Sequence, residues 1–128
     1  MNKDILSAKK TIEAEIQGLK KLYSSFKNSS QFSKAVNLLY KMKGKCLVVG
    51  VGKSYIIGLK VSSTLASLSI PSVAFSANDL QHGGLGAIQK NHDCLLVFSV
   101  SGESSELNSI LRFANRYNVP VIGVSCKA

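Results

Sequence analysis

Cys46-Leu47-Val48-Val49-Gly50-Val51-Gly52-Lys53-Ser54 decides how this chain must be read. Its first half is continuously apolar and rich in β-branched residues. That is the composition of a short strand buried on both faces, as strands of parallel sheets are. Two glycines and a hydroxyl residue follow, and from about Tyr55 to Leu68 the pattern is helical. A strand, a glycine turn and a helix make the first half of a βαβ unit. Working outward, Pro71-Ser72-Val73-Ala74-Phe75 reads as a second strand, residues 93–99 as a third and residues 120–125 as a fourth. Residues 76–88 read as a short helix followed by a loop containing Gly83, Gly84 and Gly86. Ser101-Gly102-Glu103 turns into a helix that reaches about Tyr117.

Two helices are expected upstream. Residues 4–26 carry Ile5, Ile12, Ile16, Leu19, Leu22 and Phe26 at three- and four-residue steps. Asn28-Ser29-Ser30 breaks that helix and caps a second one, which places Phe32, Val36, Leu39 and Met42 on one face. Lys43-Gly44-Lys45 ends it. Both are expected to serve as packing elements. The prediction is an α/β sandwich, a parallel sheet between layers of helices, as one domain over residues 1–128. The chain stops three residues beyond the fourth strand, so the domain is expected to be incomplete at its C-terminal end.

Composition narrows the function classes. With 45% hydrophobic residues and two prolines in 128 residues, a disordered chain is excluded. No apolar run approaches the ~18 residues of a membrane span. The start of the chain, with Lys3 and Asp4, lacks the apolar block of a signal peptide, so a cytoplasmic protein with no membrane partner is expected. Cys46, Cys94 and Cys126 are odd in number and form no CxxC pair; they read as three reduced, buried thiols. The net charge is +9, and ten of the sixteen basic residues are lysines within residues 1–45. That segment has no arginine and no aromatic–basic interleaving, so it reads as a solvated helix face and no nucleic-acid partner is expected.

Chemistry is expected where strands end, because open parallel sheets bind ligands at their carboxyl ends. Gly50-Val51-Gly52-Lys53-Ser54 offers glycines and a hydroxyl at a helix start, where backbone N–H groups can meet a phosphate. It is neither a Walker A loop, since Leu47 stands where the first glycine belongs, nor a dinucleotide fingerprint, since Tyr55 stands where the third does. The third strand ends in Ser99-Val100-Ser101-Gly102-Glu103-Ser104, with more hydroxyls than the N-cap that Ser101 alone could supply; an anion site is the better reading. His82 lies among glycines, where it can approach a substrate. His92 falls on a surface turn, and neither histidine forms a metal spacing with a carboxylate or cysteine.

These segments together resemble the sugar isomerase (SIS) domain, and within it the D-arabinose 5-phosphate isomerase family. The family's GxGKSGHIG run stands here as Gly50-Val51-Gly52-Lys53-Ser54-Tyr55-Ile56-Ile57-Gly58. Its SHGDLG run stands as Gln81-His82-Gly83-Gly84-Leu85-Gly86, and its SNSGET run as Ser99-Val100-Ser101-Gly102-Glu103-Ser104. The resemblance covers essentially the whole chain. It implies a three-layer sandwich with a five-stranded, flavodoxin-like sheet, and a homo-oligomer. It implies interconversion of arabinose 5-phosphate and ribulose 5-phosphate, feeding lipopolysaccharide sugar synthesis, with a phosphorylated sugar as partner. Carried over by position, Ser54, Ser99, Ser101 and Ser104 hold the phosphate, and Lys53, His82 and Glu103 serve the chemistry. Isomerisation through an enediol needs an acid/base and a stabiliser of oxyanion charge, and no redox cofactor or metal. The sequence departs from the family at Tyr55 and Ile56, at Gly84 in place of aspartate, and at Val100 in place of asparagine. Relatives also continue beyond the fourth strand with further catalytic groups. A non-catalytic sugar-phosphate-binding module or inactive remnant is therefore the alternative.

Overall fold

The computed structural model describes residues 2–26 and 30–127. The break expected at Asn28-Ser29 lies outside the described residues. The elements run α1 (Lys3–Ser25), α2 (Ser30–Lys41), β1 (Cys46–Gly50), α3 (Lys53–Ser67), β2 (Ser72–Ser76), α4 (Ala77–Gln81), β3 (Cys94–Phe98), α5 (Asn108–Arg116) and β4 (Val121–Val124). Short 3-10 turns occupy Gly84–Ala87 and Ser105–Leu107. The chain divides into two compact units, Met1–Val36 and Asn37–Ala128.

In the second unit four parallel strands lie in the order β2-β1-β3-β4, one fewer than the resemblance implied. β1 is central and fully buried along its length, as its unbroken apolar run requires. Successive side chains point to opposite faces. Leu47, Val49, Leu95 and Val97 therefore meet Ala77 and Leu80 of α4 and Ile110 and Ala114 of α5. Cys46, Val48, Cys94 and Leu96 meet Val61 and Leu65 of α3 and Leu38, Leu39 and Met42 at the end of α2. With helices on both faces, the unit is the expected three-layer α/β sandwich. Cys46 and Cys94 are register partners within it, both free and buried. Cys126 is also free but exposed, against the expectation of three buried thiols, because it follows β4 at the rim of the sheet.

The first unit gives a different result. α1 is a 23-residue helix capped by Asn2, whose side chain accepts the Asp4 N–H. None of its residues is buried: Ile12 is 59% exposed and Leu19 66%. Its apolar stripe lies where the three- and four-residue spacing placed it, and its side chains are exposed. Helical periodicity fixes which residues share a face and says nothing about what covers it.

Candidate functional site

Because the strands are parallel and in register, their carboxyl ends lie side by side: Gly50 pairs with both Ser76 and Phe98. The segments carrying all the candidate residues leave the sheet from these ends.

The turn after β1 depends on two glycines for different reasons. A Cβ on Gly50 would lie 2.6 Å from the Ser54 carbonyl carbon and the Tyr55 nitrogen. Only hydrogen fits there, and this lets the first turn of α3 approach the strand. Gly52, the residue before α3, has φ +55° and ψ −122°, a conformation that side chains resist. Lys53 then opens the helix as an exposed residue, with Ser54 half-buried behind it. The Ser54 and Tyr55 N–H groups are already taken by the Val51 and Gly52 carbonyls, each at 3.1 Å. This turn consequently offers an anion the Ser54 hydroxyl and the Lys53 ammonium, and fewer backbone donors than expected.

The serine loop after β3 is longer than the sequence suggested. Ser101 does not cap α5, which begins only at Asn108 after the 3-10 turn. Instead Ser101 Oγ accepts the Glu103 N–H at 3.1 Å, and Ser99 Oγ accepts the Gly102 N–H at 3.1 Å, with Gly102 at φ +73°. These side-chain bonds turn the chain in place of a helix. Ser99 and Ser104 share a hydrogen bond at 3.0 Å. Each hydroxyl has one hydrogen, so whichever of the pair donates, one O–H remains for a ligand, and Ser101 keeps its own. The loop is thus a preformed donor cluster held by a buried Ser99.

Ser54 and Ser99 line one cavity of about 180 Å³ together with Ile57, Phe98, Val100, Val124, Ser125 and Cys126. The last three come from the end of β4 and its continuation, which the sequence reading left out of the site. Two backbone bonds hold that edge to the serine loop: Ser99 N–H to the Val124 carbonyl at 3.0 Å and Cys126 N–H to the Val100 carbonyl at 3.1 Å. Ser125 could have been found from sequence by the same strand-end rule that found Ser54 and Ser99.

The three acid/base and charge candidates are less closely assembled. His82 is exposed at the C-terminal end of α4. Its neighbour Gln81 donates its side-chain N–H to the Glu106 carbonyl, tying the His82 turn to the segment after the serine loop. Glu103 is exposed and lies 3.9 Å from Lys127 in a solvent-screened ion pair. Among the described residues, Lys53, His82 and Glu103 make no hydrogen bond or ion pair with one another. His92 is exposed, as expected for a turn residue. No group of three or more His, Cys, Asp or Glu among the described residues is arranged to hold a metal ion, and none of their helices is long and apolar enough to cross a membrane.

The family model of the SIS domain matches residues 38–128. The chain belongs to the SIS-domain family. The chain is 33% identical over 128 residues to the arabinose 5-phosphate isomerase KdsD of Francisella tularensis, covering 98% of the chain and 38% of that protein. It is 35% identical over 121 residues to the KdsD of Pseudomonas aeruginosa, covering 94% of the chain and 36% of the relative. The chain therefore spans little more than a third of the length of these curated relatives. Among solved structures, a provisionally assigned sugar-phosphate isomerase from Listeria monocytogenes superimposes with a TM-score of 0.86 at 27% identity, covering 98% of this chain and 65% of its own. An Escherichia coli CFT073 protein in complex with arabinose 5-phosphate superimposes with a TM-score of 0.77 at 29% identity, covering 98% and 66%.

Proposed function

We propose that this SIS domain binds a phosphorylated sugar at the ends of β1, β3 and β4 and belongs to the arabinose 5-phosphate isomerase line, interconverting D-arabinose 5-phosphate and D-ribulose 5-phosphate. The single observation that carries the reading is the serine loop. Its hydroxyl groups leave O–H donors spare, and the buried Ser99 at its base shares a cavity with Ser54 of the adjacent turn. That is a donor set suited to phosphate oxygens. Likeness to KdsD relatives and to a structure bound to arabinose 5-phosphate supports the choice of sugar.

In this reading Ser54, Ser99, Ser101 and Ser104 hold the phosphate. With the phosphate anchored, the carbonyl end of the open-chain sugar reaches the residues at the rim. Glu103 or His82 removes the C2 proton; the C–H electrons form the C1–C2 double bond and the carbonyl electrons move onto O1. Lys53 stabilises that oxyanion; the C2 hydroxyl proton then passes to O1, the O2 electrons form the C2 carbonyl, and the C1–C2 double-bond electrons take a proton at C1 to complete the ketose. The same proposal makes the protein a cytoplasmic homo-oligomer acting in lipopolysaccharide sugar synthesis. Exposed apolar side chains on α1 and on the β4 edge, where Val121 is 40% and Val124 44% exposed, support self-association.

One observation favours a second reading, a binding module without turnover: among the described residues the catalytic candidates share no hydrogen bond or ion pair, and Glu103 is paired with Lys127. NMR of the protein with arabinose 5-phosphate in D2O separates the two. Loss of the C2 proton signal with ribulose 5-phosphate appearing, both abolished by Glu103→Gln, is expected of the isomerase. Saturable binding with neither signal identifies the module, and no binding at millimolar sugar phosphate defeats both readings.

A further inference from the structure

We propose a second binding site, for a small organic phosphate, at the opposite end of the sheet, where the chain enters β3 and β4. A cavity of about 340 Å³ opens there, within the size range of small-molecule pockets. The five-residue length of β3 separates it from the serine loop, roughly 16 Å at about 3.3 Å per residue. It owes nothing to the sugar-phosphate reading and stands or falls independently of it.

Its charge is unbalanced. Lys41 and Lys43 line the cavity, and among the described residues neither ammonium group has a hydrogen-bond or ion-pair partner. The one carboxylate in the wall, Asp93, does not offset them. It is buried and accepts Lys45 Nζ at 2.7 Å, the Lys45 N–H at 2.8 Å and the Gln89 N–H at 2.8 Å. Lys45 thus spends its charge on Asp93, leaving the two lysines to a ligand. Another nearby cation, Lys90, is placed over the Tyr117 ring at 3.5 Å.

His92 adds directionality. Its Nδ1 lies 3.1 Å from the Lys90 carbonyl oxygen. A carbonyl only accepts, so Nδ1 carries the hydrogen; in the neutral imidazole Nε2 is then an acceptor, which suits the P–O–H of a monoanionic phosphate ester. Asn91 and Asn118, at φ +67° and +54° in the turns before the two strands, line the same wall. The remaining wall is apolar, from Leu38, Met42 and Pro120. Two unpaired ammonium groups beside an apolar wall select a phosphate attached to a carbon skeleton. The lysines at the end of the basic N-terminal segment thereby acquire a role that a solvated helix face does not give them.

The test follows the His92 ring signals by NMR while phenyl phosphate, and separately inorganic phosphate, is titrated at constant pH and ionic strength. We expect a saturable His92 shift with phenyl phosphate, several-fold tighter than with inorganic phosphate. The Lys41→Gln/Lys43→Gln variant, altered only at exposed positions, should weaken it at least about tenfold, since each charge-assisted hydrogen bond carries that much. Ser99→Ala/Ser104→Ala should leave it in place. The proposal is overturned by no saturable shift up to tens of millimolar, by equal affinity for the two phosphates, by a shift that survives the lysine substitutions, or by one that disappears with the serine substitutions.

Discussion

Gly50→Ala tests the turn on which the candidate site is built. The new methyl group would sit 2.6 Å from the Ser54 carbonyl carbon and the Tyr55 nitrogen, and 2.8 Å from the Ser54 oxygen. Carbon atoms pack best at about 3.5–4.0 Å, so the strand and the first turn of α3 must separate by about 1 Å. The atoms that would have to yield are backbone, with no side chain to rotate away. β1 cannot recoil, because it is hydrogen-bonded to β2 on one side and β3 on the other. The cost therefore falls in the upper part of the overpacking range, about 2–3 kcal/mol. For a domain of this size that lowers the melting temperature by about 10 °C or more. Urea and thermal unfolding of the variant measure it. Gly123→Ala provides the control: it is also a strand glycine, but its Cβ would meet nothing within 4 Å, and its melting temperature should barely move. If Gly50→Ala matches that control, the close approach of α3 to β1 is wrong, and the placement of Ser54 in the cavity falls with it.

Other perturbations probe different parts of the molecule. Burial raises the Asp93 carboxyl, but hydrogen bonds from the Lys45 ammonium and the Gln89 and Lys45 N–H groups, with the Lys45 charge, outweigh it and hold the group below the ordinary 3.8. Its contribution is therefore present at neutral pH and lost as pH falls through the lowered value. Asp93→Asn should cost about 2–3 kcal/mol near neutrality, and the gap between the two urea midpoints should close progressively below about pH 4. Ser104→Ala removes one O–H from the serine cluster and should weaken sugar-phosphate binding about tenfold by calorimetry, with the fold intact; unchanged affinity removes Ser104 from the site. The hydrogen bond with Cys94, then burial, push the Cys46 thiol above its ordinary range. A disulfide reagent should accordingly titrate one thiol, Cys126, in the native protein and all three after denaturation. Faster loss of Cys46 or Cys94 would mean that the sheet opens there.

Much of this was legible in the residues because it is local. The run from Cys46 to Gly50 can only be a doubly buried strand, and Gly50 and Gly52 mark the one place where a helix must turn back closely onto it. The serines of the loop after β3 announce a polar cluster by their composition alone. The loop extends further than its composition suggests because Ser99 and Ser101 bond to backbone N–H groups that a continuing helix would otherwise have used. Helical spacing placed the apolar stripe of α1, yet burial depends on a neighbour, and its residues stay exposed. Strand adjacency was equally hidden. The order β2-β1-β3-β4 puts the end of β4 beside the serine loop, which makes Ser125 and Cys126 walls of the cavity and leaves Cys126 in solvent. It also brings Lys45 to Asp93 across 48 positions of sequence, so that Lys41 and Lys43 are left without an acid. Periodicity and turn chemistry act over a few residues, and the sequence states them directly. Which strand lies next to which is settled by the packing of both sheet faces at once, so the partners of Asp93, the walls of the cavity and the exposure of Cys126 appear only in the folded chain.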